Sequence, residues 1–488
     1  MLEEYFNQFR KNIIGINQTF ESPFGIQKVV YTDWTASGRM YQEIEDNLIQ
    51  NFYPFVANTH TETTQTGSSM TIAYHTAQKM IKDHVNASTN EVIITCDAGM
   101  TGAINKFQRI LGLRIHEKYK SKISIPENER PIVFVTHMEH HSNQTSWLET
   151  IAEVVVIHPT EIGLVDVEHL KSLLEKYKNR TIKIAAITSC SNVTGVFTPY
   201  HEIAAIMHQN NGLCFVDFAC SAPYINIDMN PKNGEEKLDA IYFSPHKFLG
   251  GPGTSGVLIF DSKLYTNKIP DNPGGGTVEW TNPWGEHEYV ANIEAREDGG
   301  TPGFLQVIRT ALSIQLKNKM GVENMLHREH ELLNEVWKEL EPIKNLHILA
   351  NQIKNRLSIV SFYIDDLHFN LAVKLLNDRF GIQSRGGCSC AGTYGHYLLS
   401  VDKDFSHSIT SEISCGILDN KPGWVRVSFH PTTTNEELQY VLNALKQLCE
   451  NHKTWAKDYT YNPKSNEYIH LNEKKELLYK TVNSWFEF

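Results

Sequence analysis

One stretch of the chain decides how the rest is interpreted, and it reads Tyr242-Phe243-Ser244-Pro245-His246-Lys247-Phe248-Leu249-Gly250-Gly251-Pro252-Gly253. A single lysine follows the apolar, β-type run 240–243 and precedes a glycine-rich loop. Lysine is rarely buried unless it is paired or chemically used, and burial makes its ammonium group lose a proton easily. Lys247 is therefore a candidate Schiff-base nucleophile. The alternative is a surface lysine after a strand, the commoner outcome for a lysine taken at random.

Composition limits the class of protein. The chain has 488 residues, 41% hydrophobic and 21% charged, which is typical of a soluble globular protein with two or three domains. A net charge of −11 argues against binding to nucleic acid or an anionic membrane surface. The N-terminus is acidic where a secretion signal would be basic, so we expect no such signal. No apolar run approaches the ~20 residues that span a bilayer, so we expect no membrane span. Eight scattered cysteines are not a disulfide framework, so we expect a cytoplasmic protein with reduced thiols.

The middle of the chain alternates between short apolar runs and helical patterns. Such runs, interleaved with helices, indicate an α/β domain whose mostly parallel sheet has helices on both faces. Strands are predicted at 91–95, 132–136, 154–157, 182–188, 213–216, 240–243 and 256–260, and helices near 100–112, 142–150, 166–178 and 199–210.

The pattern then divides the whole chain into four parts. Residues 1–30 are a leader expected to pack on the smaller domain, and residues 31–310 form the large domain. A second β-α-β-α pattern predicts a smaller α+β domain over 311–455, followed by an extension at 456–488. Residues 270–304, rich in Gly, Pro and Trp, are predicted to be a functional loop region.

Polar residues follow several of the predicted strands, where ligands bind in open α/β sheets. Asp217 ends the strand 213–216, and Lys247 follows the next strand along the chain. Pyridoxal phosphate chemistry needs this pair, a lysine for the imine and an acid that keeps the pyridinium nitrogen protonated. The alternative for Asp217 alone is a helix cap or a turn.

A possible phosphate cradle lies between the strand 91–95 and the next helix, in the turn Asp97-Ala98-Gly99-Met100-Thr101-Gly102-Ala103. Small residues there expose backbone N–H groups at a helix N-terminus, although a plain strand-helix turn has the same sequence character. The run 251–256 matches G-x-G-x-x-G, but it leads into a strand and not a helix, which argues against a dinucleotide site.

A third unusual stretch is Ser384-Arg385-Gly386-Gly387-Cys388-Ser389-Cys390-Ala391-Gly392. A cysteine near an arginine in a glycine-rich loop could be a thiolate nucleophile, a structural thiol or one of a redox pair. The C-x-C spacing fits zinc poorly, so no metal site is predicted. Arg426, in the predicted strand 424–429, could bind a carboxylate or form a surface salt bridge.

Two further strand ends carry candidate cofactor contacts. His140, in Glu139-His140-His141-Ser142-Asn143, could stack on an aromatic ring and shuttle protons near neutral pH, or it could belong to a pair of exposed histidines. Asn192, which follows the strand 182–188, could donate a hydrogen bond to a ring oxygen.

Taken in order, these residues resemble the class V aminotransferase family of fold-type I pyridoxal-phosphate enzymes over roughly residues 30–450. The resemblance is strongest to the cysteine desulfurases of the selenocysteine-lyase group. It implies a homodimer with shared active sites and bound pyridoxal 5′-phosphate. The implied cofactor contacts are Gly99, Met100, Thr101, His140, Asn192, Asp217, Cys220, Ser244, His246, Lys247 and Thr301.

The resemblance assigns roles to several of these residues. Lys247 would carry the imine, His140 would stack on the ring, and Thr301, in Gly300-Thr301-Pro302, would reach the phosphate of the other subunit. Cys390 would form the persulfide, while Arg385, Arg426 and Asn192 would bind the substrate. Cys388 and Cys390 are also similar to the G-C-x-C pattern of molybdenum-cofactor sulfurases.

The sequence departs from the family in three places. Cys220 stands where desulfurases commonly have Gln, the turn 100–103 differs from Thr-Thr-Glu-Gly, and nothing in the family matches the chain beyond about residue 455.

The function predicted is that of a cysteine desulfurase-like enzyme, which converts L-cysteine to L-alanine and leaves a persulfide on Cys390. A sulfur-acceptor protein is a possible partner. The alternatives are transamination, epimerisation or β-elimination on another small amino acid, with Cys390 uninvolved, and a sulfur-transfer scaffold that has no turnover.

Overall fold

The computed structural model describes residues 2–59, 61–96, 99–473 and 475–487. The N-terminal segment contains α1 (Leu2–Arg10), β1 (Thr19–Ser22), β2 (Gly25–Lys28), β3 (Val30–Tyr31) and α2 (Gln42–Asn47). The large domain follows with α3 (Gln65–His84), β4 (Glu91–Cys96), α4 (Gly99–Ile110), α5 (Glu117–Lys120), β5 (Ile132–Thr136), α6 (His141–Leu148), β6 (Glu153–Ile157), α7 (Val167–Lys176), β7 (Lys183–Thr188), α8 (Tyr200–Gln209), β8 (Leu213–Asp217), β9 (Ala240–Phe243), β10 (Gly256–Asp261), β11 (Val278–Thr281), β12 (His287–Tyr289), α9 (Ile293–Arg296) and α10 (Phe304–Met320).

The remaining elements belong to the smaller domain and the C-terminal extension. They are α11 (Val322–Leu340), β13 (Leu346–Ile348), β14 (Ile359–Ile364), α12 (Phe369–Phe380), β15 (Ile382–Gln383), β16 (Arg385–Gly387), α13 (Gly392–Leu398), α14 (Lys403–Ser414), β17 (Trp424–Ser428), α15 (Asn435–Trp455), β18 (Tyr459–Asn462), β19 (Glu467–His470) and α16 (Lys475–Ser484).

The central sheet has the strand order β4-β10-β9-β8-β7-β5-β6 in the described chain. Strands β9, β8, β7, β5 and β6 run parallel, whereas β10 is antiparallel to both of its neighbours. The predicted fold class is confirmed. The reversed direction of β10 left no trace in the sequence, because a strand buried on both faces is uniformly apolar whichever way it runs.

The sheet is covered on both faces, as its composition predicts. Alternate residues of β5 enter different apolar clusters: Ile132 and Phe134 face one side, and Val133 and Val135 face the other. The parallel strands end at one edge, where Asp217 lies in register with Thr188 and Tyr242. The turns after β5, β7, β8 and β9 therefore meet at that edge.

The smaller domain has its own antiparallel sheet, in the order β13-β14-β17-β16, and its own apolar core with α11, α12 and α15. The N-terminal segment touches both domains: Phe6 and Phe9 enter the core of the large domain, while Arg10 pairs with Glu437 of α15 at 2.7 Å. Strand β3 also pairs with β15.

Four regions contain more structure than their sequences indicate. The leader adds the hairpin β1–β2, the loop region 270–304 contains β11, β12 and α9, and the residues after Cys390 form α13 and α14. The extension includes the hairpin β18–β19, whose Tyr459 is buried in the core of the smaller domain. Polar sequences with few periodic apolar positions give little signal for such elements. In the described residues, no helix is long and apolar enough to cross a membrane.

Candidate active site

A cavity of about 220 Å³ opens at the carboxyl edge of the central sheet, beneath the loop between β16 and α13. Most of the residues singled out in the sequence line it together. They are Met100, Thr101, His140, Asn192, Asp217, Cys220, Ser244, His246, Lys247, Arg385, Cys390 and Arg426.

Lys247 ends a tight 3₁₀ turn, Pro245–Lys247, directly after β9. The N-terminal segment holds this turn in place, because the backbone N–H of Gly38 donates to the carbonyl of His246 at 2.9 Å. A Cβ atom at position 38 would lie 1.9 Å from the carbonyl oxygen of Phe248, so only glycine allows this approach. Loss of water around the ammonium group lowers the pKa of Lys247. Lys247 thus meets the chemical requirement for an imine-forming amine.

Asp217 lies across the cavity at the end of β8 and is 3% exposed. Its Oδ1 accepts a hydrogen bond from the backbone N–H of Ala219 at 2.8 Å. Burial raises the pKa of Asp217 to about 6, although the Ala219 N–H and the nearby Lys247 act in the opposite direction. Because a buried charge is costly without a partner, the ionised form of Asp217 would be stabilised by a positively charged group in the cavity.

His140 caps the N-terminus of α6, where its Nδ1 accepts a hydrogen bond from the backbone N–H of Ser142 at 3.1 Å. Burial, followed by the effect of Lys247, lowers the pKa of His140 to about 3, so the ring is neutral near pH 7. The adjacent Glu139 is fully enclosed, and its carboxylate accepts from the Thr136 hydroxyl at 2.6 Å and from Asn143 Nδ2 at 2.7 Å. Glu139 therefore fixes the turn that presents His140.

The turn at the start of α4 also reaches the cavity. The backbone N–H of Met100 donates to the Ser244 hydroxyl at 2.9 Å, and the Thr101 and Ser142 hydroxyls are 2.7 Å apart. Gly99 has φ +58°, and a Cβ at Gly256 would lie 1.9 Å from its carbonyl oxygen. The glycine at 256 therefore allows two backbones to touch beside the helix N-terminus, which suits an anion. Asp97 and Ala98, also part of the predicted turn, lie outside the described residues.

Asn192 and two thiols complete the strand-end side of the cavity. Asn192 Nδ2 donates to the carbonyl of Ser389 at 2.8 Å, while its Oδ1 is buried without a hydrogen-bond partner in the described structure. Cys220 and Cys190 are both buried, and their Sγ atoms lie 3.6 and 3.7 Å from the carbonyl oxygen of Ser191. Burial raises the pKa of Cys190.

The two candidate substrate-binding arginines are opposite each other in the register of β16 and β17. Arg426 is 3% exposed and donates from Nη1 to the carbonyl of Asn192 at 3.0 Å. Both guanidinium groups contact one carboxylate: Asp33 Oδ1 is 2.8 Å from Arg426 Nη2, and Asp33 Oδ2 is 3.1 Å from Arg385 Nε. Arg426 therefore forms a buried ion pair with Asp33, and the alternative of a surface salt bridge, considered from the sequence, is wrong.

Cys390 lies in the loop over the cavity and is exposed. Ser389 and Cys390 adopt positive φ angles of +49° and +57°, an uncommon conformation for residues with a side chain. Two hydrogen bonds from His141 hold this loop. The backbone N–H of His141 donates to the Cys390 carbonyl at 2.7 Å, and the ring Nε2 accepts from the backbone N–H of Gly392 at 2.9 Å. Cys388 is half-buried against the core of the large domain.

Thr301 is exposed and does not line the cavity of its own chain. Its expected contact with the phosphate of another subunit stays a prediction.

Sequence reasoning missed three residues that shape the site. Glu139 and His141 stood inside a quoted motif, but only distances show that one fixes the His140 turn and the other holds the Cys390 loop. Asp33 stood in a quoted run of small and polar residues. Nothing in the sequence indicates that a residue at 33 contacts one at 426.

The residues present fit an aromatic cofactor with an anionic group. A buried carboxylate, a lysine with a lowered pKa and a neutral histidine face the same space. The N-terminus of α4 and the Ser244 hydroxyl lie at one end of the cavity, and the orphaned Oδ1 of Asn192 marks a polar position that has no partner within the described protein.

Known proteins share this sequence pattern and this fold. The family model described as aminotransferase class-V matches residues 30–441. A protein named probable cysteine desulfurase from Staphylococcus aureus is 26% identical over 429 residues, covering 87% of this chain and 93% of the relative. Another of the same name, from Halalkalibacterium halodurans, is 28% identical over 372 residues, covering 74% of this chain and 84% of the relative. The solved apo structure of a cysteine desulfurase from Thermococcus onnurineus superposes with a TM-score of 0.73 at 21% identity, covering 91% of this chain and 98% of that one.

Proposed function

The chain belongs to the aminotransferase class-V family, whose members are pyridoxal-phosphate enzymes, and on that premise we propose that it is a cysteine desulfurase. The family membership confirms the resemblance predicted from the sequence. One observation carries the choice of reaction: a thiol, Cys390, is held in a loop over the same cavity that Lys247 and Asp217 line. The names of the relatives agree with this choice.

The residues proposed to hold pyridoxal 5′-phosphate surround the cavity. Lys247 would bind it covalently, Asp217 would pair with the ring nitrogen, and His140 would stack on the ring. Asn192 and Cys220 would contact the ring from the strand-end side. The phosphate would bind at the helix terminus and the neighbouring side chains, namely Gly99, Met100, Thr101, Ser244 and His246, with Thr301 contributed across the dimer.

When bound, pyridoxal phosphate supplies an electron sink for the carbanion at the substrate Cα. The protein side chains do the rest. Lys247 moves a proton at Cα, a role that its lowered pKa suits. Arg426 and Arg385 together supply the positive charge that attracts the substrate carboxylate, and Asn192, whose carbonyl accepts from Arg426, lies beside it.

We assign the sulfur transfer to Cys390. Its thiolate attacks the substrate Sγ, the new S–S bond forms, and the Cβ–Sγ bond breaks with its electron pair left on carbon. That carbon takes up a proton, so L-cysteine leaves as L-alanine and Cys390 becomes a persulfide. The thiol is oxidised and the carbon is reduced, so no outside oxidant is needed. Exposure of Cys390 would let a sulfur-acceptor protein reach the persulfide.

Two further proposals concern the setting of the enzyme. We propose a homodimer with shared active sites, which the exposed position of Thr301 supports. We also propose a cytoplasmic location, which the eight free cysteines support, because a reducing compartment keeps thiols reduced.

The test is alanine and sulfide production from L-cysteine with a thiol reductant present, by the wild type, Cys390→Ala and Cys388→Ala. We expect Cys390→Ala to lose about 100-fold or more of the rate, and Cys388→Ala to keep most of it. Equal rates for the wild type and Cys390→Ala would disprove the persulfide role. Pyruvate or a racemised amino acid as the main product would indicate one of the alternative reactions.

A further inference from the structure

The two arginines of the substrate end form an unusual electrostatic arrangement. Arg385 and Arg426 are directly opposite each other in adjacent antiparallel strands. Like charges in that position repel and destabilise a sheet. Asp33, from the N-terminal segment, lies between them and contacts both guanidinium groups at 2.8 and 3.1 Å. The three side chains together carry one net positive charge.

Asp33 is held independently of any substrate. The Ser428 backbone N–H donates to the Thr32 carbonyl at 2.7 Å, and the Thr35 N–H donates to the Ser428 hydroxyl at 3.0 Å. These bonds attach the segment around Asp33 to β17, the strand that carries Arg426. The carboxylate of Asp33 is 14% exposed, so solvent screens it only partly.

Asp33 also determines which guanidinium donors remain for a ligand. Arg385 donates from Nε to Asp33 Oδ2 at 3.1 Å, and its Nη2 lies 3.1 Å from the same oxygen, so Asp33 faces the edge that would otherwise bind a carboxylate in a bidentate manner. Arg426 lines the cavity, donates from Nη1 to the Asn192 carbonyl and from Nη2 to Asp33 Oδ1, and has an Nε that is buried without a hydrogen-bond partner in the described residues. Asp33 thus binds both arginines but covers the bidentate edge of Arg385 only, whereas Arg426 contacts it through a single nitrogen.

We propose that Asp33 is a specificity-determining positioning residue, which occupies Arg385 so that the pair accepts a ligand with one carboxylate and disfavours a ligand with two. The inference rests on the proposed function in that it takes this end of the cavity as the carboxylate site. It adds a selection that the family match does not state, for monocarboxylate amino acids over dicarboxylate ones.

The experiment measures binding and not turnover. Propionate and succinate are titrated calorimetrically into the cofactor-loaded wild type, Asp33→Asn, Arg385→Gln and Asp33→Asn/Arg385→Gln. In Asp33→Asn the freed edge of Arg385 offers a second carboxylate site, so the preference for succinate over propionate should rise about tenfold. Arg385→Gln leaves no net positive charge, so propionate binding should weaken about tenfold. The double variant restores one net charge and should return the preference to within about threefold of the wild type.

Glu437→Gln is the matched control, because Glu437 is 15% exposed and pairs with Arg10 outside the cavity. It should bind both ligands as the wild type does. An unchanged preference in Asp33→Asn, or a double variant that stays like Asp33→Asn, would overturn the proposal. If Asp33→Asn does not fold, Arg385→Gln remains as a test, because Arg385 is 48% exposed and its substitution should be tolerated. Unaltered propionate binding in Arg385→Gln would refute the proposal that the charge balance of Arg385, Arg426 and Asp33 controls carboxylate binding.

Failure of the proposed function would look different. A protein that shows the predicted carboxylate preferences but makes no alanine from L-cysteine would refute the desulfurase assignment and leave the role of Asp33 intact.

Discussion

The two sides of the cavity are built on different principles. The floor consists of strand ends: Asp217 ends β8, and Lys247, His140 and Asn192 follow other strands of the same sheet. The loop between β16 and α13 covers it from the smaller domain, exposes the thiol of Cys390 and has two non-glycine residues at positive φ. Buried hydrogen bonds fix the floor, whereas the covering loop depends on a few contacts such as those to His141.

This difference separates two tasks. A floor made of strand ends is rigid and suits a cofactor that must stay in place. A loop that enters from another domain can change its residues without disturbing the sheet. We infer that the floor provides the general chemistry at Cα and that the loop decides what happens to the rest of the substrate.

The largest expected effect is on the floor. Lys247→Ala should lower alanine formation by about 1,000-fold or more, because both the covalent link and the proton transfer at Cα are lost. Lys247→Arg, which keeps a positive charge but cannot form an imine, should be equally inactive. Visible absorbance of the purified proteins checks the covalent link. An active Lys247→Ala protein would contradict the assignment of the floor.

Asp217→Asn should lower the rate by about 100-fold while the loop stays intact, because a neutral amide cannot stabilise a protonated ring nitrogen. Steady-state kinetics with L-cysteine measures the loss, and Asp217→Glu, which keeps the charge, should lose less. Cys390 should still react with iodoacetamide at the wild-type rate in both variants. That result would show that a substitution in the floor leaves the covering loop unchanged.

His141→Ala tests the loop alone. Without Nε2 to accept from the Gly392 N–H, the loop that carries Cys390 should be less ordered, and sulfur transfer should fall by about tenfold. His141→Gln can still accept a hydrogen bond and should lose less. Cofactor affinity, measured by absorbance titration, should not change. Weaker cofactor binding in His141→Ala would mean that the two sides are coupled.

The smallest effect on activity is expected at Glu329, a buried residue of α11 outside the cavity lining. Burial raises its pKa to about 8 from an unfolded value of 4.5. The folded chain therefore binds more protons than the unfolded chain in this range, and the free energy of unfolding falls as the pH rises from about 5 to 8. Glu329→Gln should remove up to about 3 kcal/mol of that fall, as denaturant unfolding at several pH values would show. An identical slope in both proteins would contradict the raised pKa.

The floor was largely predictable from the sequence, and the cover was not. Lys247, Asp217 and His140 follow apolar strands, and parallel strands bring their carboxyl ends together whatever the details of the turns. The direction of β10, the helices α13 and α14 and the role of Asp33 could not be predicted in this way. They depend on strand pairing and on contacts between distant parts of the chain, and neither leaves a local period in the sequence.

The segment 32–39 has a consequence for how the molecule is made. It bonds to β17 on one side and to the Lys247 turn on the other, and Asp33 meets a partner 393 positions further along the chain. Closing so long a loop has a high entropic cost, so such contacts form late, after the local elements have formed. Apart from Trp34, the segment contributes no side chain to the two apolar cores, so most of each core can assemble before the segment is in place. The cavity cannot, because Thr35 and Ala36 form part of its lining. Cofactor uptake during refolding should therefore follow the last folding step. The visible absorbance of the bound cofactor would then report the moment at which the segment around Asp33 has docked on β17.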